Sequence, residues 1–306
     1  MKKHKTETSK THINRLTRSQ KGFFWALGIP TFLLYTYICI VPMLTSVADS
    51  FFDWDGYGEK TWVGFKNYAE IFTDSVFHTS IINDMLIVFF KEIIIVVLAT
   101  VFAVCLTRIR FGKRECGAYQ YLLYLPNILS IIVITRVWKF FFELGLFDTI
   151  LKAFGINISS PNGWLADYPL PIIIFVASWC GIGGFMIIMI SSINNISKEI
   201  YEAADIDGAG LCQQLFSITI PAVMPQIRYM IVTILTSSLA ANLNLILPFT
   251  GGGPGTRSYV MGLYVYNAAY SEFRVGFANA AAIVLMLISA ALAGTVNTLV
   301  AKKEEK

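Results

Sequence analysis

Glu202-Ala203-Ala204-Asp205-Ile206-Asp207-Gly208-Ala209, followed by Ile218-Thr219-Ile220-Pro221, is a polar island between two apolar runs. The flanking runs, 169–193 and 222–248, each exceed the roughly 20 apolar residues that a helix needs to cross a hydrocarbon core. A charged, turn-containing hairpin between two such segments must lie outside the lipid, where water can satisfy its irregular backbone. It is therefore a natural place for a soluble partner to hold a membrane protein.

The rest of the chain supports that environment. Of 306 residues, 55% are hydrophobic and 14% charged, with mean hydropathy +0.60. An ordinary soluble domain carries about 25% charged residues. The net charge of +4 is small, and no basic face of a soluble domain points to nucleic acid. Five cysteines (Cys39, Cys105, Cys116, Cys180, Cys212) and three histidines (His4, His12, His78) are scattered, without metal-ligand spacing.

Outward from the island, six spans are predicted, at about 22–48, 81–107, 118–142, 169–193, 222–248 and 274–301. They are read as helices, because the runs lack the period-2 alternation of a membrane barrel. The first is too long for the roughly 7–15-residue apolar core of a cleaved signal peptide. Residues 1–21 are a basic tail, expected to be disordered. Residues 65–72 place Phe65, Tyr68, Ile71 and Phe72 at helical spacing. Residues 143–168 are a connector with a possible short helix, and 249–273 a Gly-rich loop. The fourth span is expected to break at Gly181-Ile182-Gly183-Gly184. The fold class is an all-α integral membrane protein.

Lys and Arg set the orientation. They gather in the N-terminal tail, the 108–114 turn and the C-terminal end, which six spans place together on the cytoplasmic side. The same parity makes 194–221 a cytoplasmic loop, with the acidic 49–80 segment and the Gly251 loop outside. Both termini are expected in the cytoplasm, in a multi-pass protein of the cell membrane.

Within the island, Ser197 can cap a helix from Lys198 to Asp207, with Glu199 at the positive end of its dipole. Ala203 and Ala204 keep one face small. Gly208 can take the left-handed conformation that ends the helix. A second helical piece through Leu211, Leu215 and Phe216 can pack back on the membrane domain. Pro221 suits the first turn of the next helix. The product is a lever joined to a membrane helix.

Glu-Ala-Ala, three residues, Gly, nine residues, Ile, one residue, apolar, Pro resembles the EAA loop of ABC-importer permeases; Ile220 stands where Leu is usual. Further stretches resemble the sugar-type branch of that family, which includes the maltose and glycerol-phosphate permeases. They are Val63-Gly64-Phe65-Lys66-Asn67-Tyr68, Tyr124-Leu125-Pro126, Trp164-Leu165, Trp179 with Gly184-Phe185, and Ile200-Tyr201 before Glu202. Gly252-Gly253-Pro254 with Thr256, and Tyr264-Val265-Tyr266 leading to Ala278-Asn279-Ala280, continue the series. The match covers roughly 25–300.

The resemblance implies a cytoplasmic coupling hairpin. Glu202, Ala203, Ala204, Asp207, Gly208, Ile218 and Pro221 would form its ATPase-coupling element. It implies as partners a dimer of ABC ATPase subunits, a second permease, an extracytoplasmic solute-binding protein and a carbohydrate or related polar solute, with membrane lipid around the spans. ATP would bind the partner subunit, so no cofactor and no catalytic residue is expected here. Gly251-Gly252-Gly253-Pro254-Gly255-Thr256 is no phosphate loop, since the Gly-Lys-Ser/Thr ending is absent. A flexible external turn is its expected role.

Polar residues inside spans are functional candidates. Lys91, Trp179, Asn242 and Asn244 are the candidate substrate-binding residues: amides and a cation to hydrogen-bond a polyol, and an indole on which a sugar can stack. The competing use of Lys91-Glu92 and of the asparagines is bonding between helices. The alternative function is a secondary transporter or channel not coupled to an ATPase. It would call for more intramembrane acids than Asp84 and Glu92. A membrane-embedded enzyme would need a His, Asp or Cys constellation, and none is apparent.

Overall fold

The computed structural model describes residues 18–108, 112–158 and 160–301. Most of the basic tail expected over 1–21, and the closing Lys302, Lys303 and Lys306, lie outside them. The chain forms two compact units, 1–48 and 49–306.

The described residues of the first unit form one helical run. It comprises α1 (Arg18–Tyr35), a wide π turn (Thr36–Ile40) and the start of α2 (Val41–Asp49). In that turn the Val41 N–H donates to the Thr36 carbonyl, just before Pro42. A proline ring crowds the carbonyl four residues back, and a widened turn relieves that crowding.

The second unit opens with a short antiparallel hairpin, β1 (Phe52–Asp53) and β2 (Thr61–Trp62), with Phe52 opposite Trp62. Then come α3 (Lys66–Thr73), α4 (Ser75–Arg108), α5 (Lys113–Ile128), α6 (Ile131–Glu143), α7 (Leu146–Ala153) and α8 (Trp164–Asp167). Next are α9 (Pro169–Asn194), α10 (Lys198–Ile206), α11 (Leu211–Gln214), a second π turn (Leu215–Thr219), α12 (Ile220–Phe249), α13 (Met261–Tyr270) and α14 (Val275–Ala301). Among the described residues, five helical runs are long and apolar enough to cross a membrane, and a sixth crossing exists if α5 and α6 count as one.

Core contacts show that they do. Ile87 near the start of α4 packs with Ile172, Ile173 and Val176 at the start of α9 and with Leu245, Ile246 and Phe249 at the end of α12. Ala99, Ala103 and Leu106 at the other end of α4 pack with Met186, Met189 and Ile193 of α9 and with Val223 and Met230 of α12. So α4 and α9 run parallel, and α12 runs against them. Parallel helices need a return crossing between them, and α5 with α6 supplies it.

That return is not the single helix expected over 118–142. α5 and α6 meet at 98°. Pro126 removes an N–H from the last turn of α5, and Leu129 and Ser130 are both extended, at ψ 145° and 134°. The break expected at Gly181–Gly184 is absent: α9 is continuous through it. The glycines serve close packing instead. A Cβ on Gly183 would lie 2.3 Å from the Leu123 carbonyl oxygen and 2.7 Å from Tyr124 Cα. Small residues let membrane helices approach at backbone distance. Nor is 249–273 a loop throughout, since its second half is the largely buried α13.

Candidate functional site

The hairpin of α10 and α11 has two faces. Tyr201 and Asp205, four residues apart, share the inner one. Tyr201 is buried, and Glu202, Ala203 and Ile206 are exposed; Ile206 is 86% exposed. Ser197 occupies the N-cap position, though its side chain makes no cap bond. The helix ends in a Schellman turn: Ala209 N–H donates to Ala204 O (2.9 Å) and Gly208 N–H to Asp205 O (3.1 Å). Gly208 has φ +78°, the region where a Cβ is penalised.

From Gly210 the chain re-enters helix, and α11 runs through the second π turn into α12. The expected separate second piece is thus continuous with the fifth span, as one helical run Leu211–Phe249. In this turn the Ile220 N–H donates to the Leu215 carbonyl, and Pro221 follows, repeating the arrangement before Pro42. Of the other expected coupling residues, Ala204 and Ile218 are half-buried, while Asp207, Gly208 and Pro221 are exposed.

A polar network that the sequence did not announce braces the inner face. Gln214, 2% exposed, donates its amide to Asp205 Oδ1 (2.5 Å) and to the Ala209 carbonyl (2.9 Å). Its carbonyl oxygen accepts from Arg108 Nη2 (2.7 Å), at the last turn of α4. The same guanidinium lies over the Tyr201 ring, 3.5 Å from its centroid. The Tyr201 hydroxyl meets Thr219 Oγ1 at 3.0 Å. Arg108 carried only an orientation signal in the sequence, and Gln214 none.

The four candidate substrate residues are not one cluster. Asn242 is buried, and its amide donates to Asp84 Oδ1 at 2.7 Å. Lys91 Nζ points to Asn242 Oδ1 at 3.5 Å. Asp84, fully buried, also accepts from the Met261 N–H at 2.7 Å. It therefore caps α13 from a neighbouring helix, at the positive end of that dipole. Its neighbour Asn83 donates to the carbonyls of Thr256 (3.2 Å) and Tyr259 (2.9 Å). Asn83 and Asp84 thus pin the Gly-rich turn and α13 to α4. Asn244 is exposed, about 200° around α12 from Asn242.

Trp179 packs edge-on against Trp138, with ring centroids 5.5 Å apart. It lines an apolar cavity with Leu129, Val133 and Val137, which offers a sugar a stacking face but no hydrogen bonds. Glu92 Oε1 is buried with no hydrogen-bond partner among the described residues. Among those residues, no three His, Cys, Asp or Glu side chains are placed to hold a metal ion.

Outside the spans, the far end is tied by a bidentate pair between Arg274 and Glu70 (2.7 and 2.8 Å). The hydrogen bond from Arg274 holds the Glu70 carboxyl below its ordinary range. Tyr264 donates to Asp74 Oδ2 at 2.7 Å.

No family model matches the chain, but named proteins do. It is 33% identical to the probable ABC transporter permease protein YurN of Bacillus subtilis, over 85% of this chain and 89% of that one. It is 30% identical to the multiple sugar-binding transport system permease protein MsmF of Streptococcus mutans, over 88% and 91%. Its fold matches a chain of a bacterial alginate ABC transporter solved with an alginate pentasaccharide-bound periplasmic protein. That match has a TM-score of 0.79 and 21% identity, over 92% of this chain and 94% of that one. A third of the sequence shared with YurN, over more than four fifths of each chain, makes this chain a member of the ABC transporter permeases.

Proposed function

We propose that this permease is one half of the membrane pore of an ATP-driven importer for a carbohydrate or related polar solute. Family membership carries the transport role. The sugar reading is supported by MsmF, whose name states multiple sugar binding, and by the alginate transporter of like fold. An extracytoplasmic binding protein delivers the solute, as the periplasmic protein in that structure suggests. ATP is hydrolysed on separate ATPase subunits. The exposed face of α10, with Glu202, Ala203, Ile206 and the Asp207-Gly208 turn, docks on them. Both termini and the hairpin lie in the cytoplasm, and the protein sits in the cell membrane. A second, different permease completes the pore. The orphan Glu92 oxygen suits a donor from that subunit, since buried polar groups are nearly always bonded.

Asn244, exposed on α12, remains the proposed solute contact, with Trp179 as a stacking face; Lys91, turned to Asn242 Oδ1, goes with the Asp84 network. Asn242 is better accounted for as the partner of Asp84. The test is reconstitution of the permease with its genomic neighbours in proteoliposomes. Uptake of labelled oligosaccharides should require internal ATP and external binding protein. Uptake driven by an ion gradient without ATP refutes the proposal.

A further inference from the structure

The hairpin is attached to the membrane domain by three routes. Two are covalent, through residues 195–197 to α9 and through α11 and the π turn into α12. The third is the contact of Tyr201 and Gln214 with Arg108 at the end of α4. We propose that Arg108 is a positioning residue that transmits hairpin movement to α4, so that the hairpin acts directly on α4 as well as on the two helices it joins. This rests on reading the hairpin as the ATPase docking element.

Incomplete packing between α4 and the hairpin is the first ground. A cleft of about 150 Å³, lined by Val104, Cys105, Leu211, Cys212 and Leu215, separates them, and Arg108 and Gln214 line it too. Apolar interdigitation does not lock the two elements there, so the polar clasp is the direct link between them, beside the indirect one through the packing of α4 on α9 and α12. The central residue of the clasp, Gln214, is buried and saturated: both amide hydrogens and the carbonyl oxygen are engaged, which fixes the amide in place. Arg108 both lies over the Tyr201 ring and donates to Gln214; a planar guanidinium does this with its face on the ring and its edge free to donate, a geometry that a point-like ammonium matches less well.

The second ground is what α4 carries. It holds no Gly or Pro from Ser75 to Arg108, so nothing in it hinges. Arg108 and Asp84 are 24 positions apart, about 36 Å of straight helix. At that far end Asp84 grips Asn242 of α12 and caps α13. A shift at Arg108 therefore moves the group that holds α13 and the Gly-rich turn.

The experiment compares wild type, Arg108→Met and Arg108→Lys in the complete reconstituted transporter. It reads solute moved per ATP hydrolysed, normalised to assembled complex. Arg108→Met should assemble with its ATPase and hydrolyse ATP, but move at least fivefold less solute per ATP. Arg108→Lys should fall between. An unchanged ratio in assembled Arg108→Met overturns the proposal, because the covalent routes through α9 and α12 then suffice. If Arg108→Met does not assemble, Arg108→Lys decides by the same ratio. If neither assembles, the clasp is a folding contact and the proposal falls. A wild-type complex that transports without its ATPase refutes the docking reading itself, an outcome separate from any of these.

Discussion

Asn242→Leu tests whether the buried amide serves the fold or the solute. Leu nearly conserves volume, so the perturbation is chemical. Asp84 is fully buried and has described partners on two sides, Asn242 Nδ2 and the Met261 N–H, both at 2.7 Å. The substitution strands one carboxylate oxygen and removes the acceptor facing Lys91. A hydrogen bond to a charged group contributes about 1.5–3 kcal/mol, although interhelical bonds measured in a membrane protein average about 0.6 and reach about 1.7. The depth of Asp84 places the cost near the top of the second range, so about 2 kcal/mol is expected. At roughly 2–4 °C per kcal/mol for a large domain, the purified transporter should melt about 4–8 °C lower. Half-saturation for uptake, normalised to assembled complex, should not change. A cycle with Asp84→Asn should show coupling, because the two residues share one bond. A roughly tenfold rise in half-saturation with an unchanged melting temperature refutes the reasoning and returns Asn242 to the solute site.

Asn244→Leu should behave the opposite way, raising half-saturation roughly tenfold, the value of about 1.4 kcal/mol, with normal melting; a melting loss without an affinity change sinks it. Gly183→Ala should destabilise by about 1–3 kcal/mol through overpacking, because its Cβ meets backbone at 2.3 Å. Gly181→Ala meets only the flexible tip of Ile95, at 2.6 Å, and should be mild; equal melting of the two variants would remove the close-packing account. Glu70→Gln should cost under about 1 kcal/mol, since the pair is partly exposed. Because the Glu70 carboxyl is held low, its contribution is complete above the ordinary value of 4.5 and fades as pH falls through the lowered one. The melting difference from wild type should therefore be flat above pH 4.5 and shrink in acid; a difference that grows in acid contradicts the pairing. Cysteine labelling should find position 162 on the side opposite position 207; the same side for both would mean that α5 and α6 do not cross.

The span pattern was legible because lipid imposes length and composition on every crossing helix, whatever its packing. Local turn chemistry was legible too. Gly208 and Pro221 announce a left-handed cap and a helix start by properties of their own backbones. Features that depend on a neighbour were not. Gly183 reads as a breaker in isolation, and only α5 lying against it makes it a contact. Met261–Tyr270 has no membrane-length run, so it merged with the Gly-rich turn before it, and its cap comes from Asp84, 177 positions away. Asn242 and Asn244 look alike in sequence, and the 200° between them on the helix separates a buried bridge from an exposed amide.

The same dependence explains why acids are so few at membrane depth. An ion-coupled carrier needs carboxylates that change protonation or partner during the cycle. In this chain Asp84 is tied to two helices besides its own, and it holds the N-terminus of α13 against α4 and α12. Such a carboxylate is suited to being moved as part of a rigid assembly rather than to loading and unloading a proton. On the proposed docking of the hairpin on an ATPase, the driving force arrives mechanically from outside the span, and the features that would receive it lie at the opposite end of α4 and α12: the braced hairpin, the π turn and the Arg108 clasp.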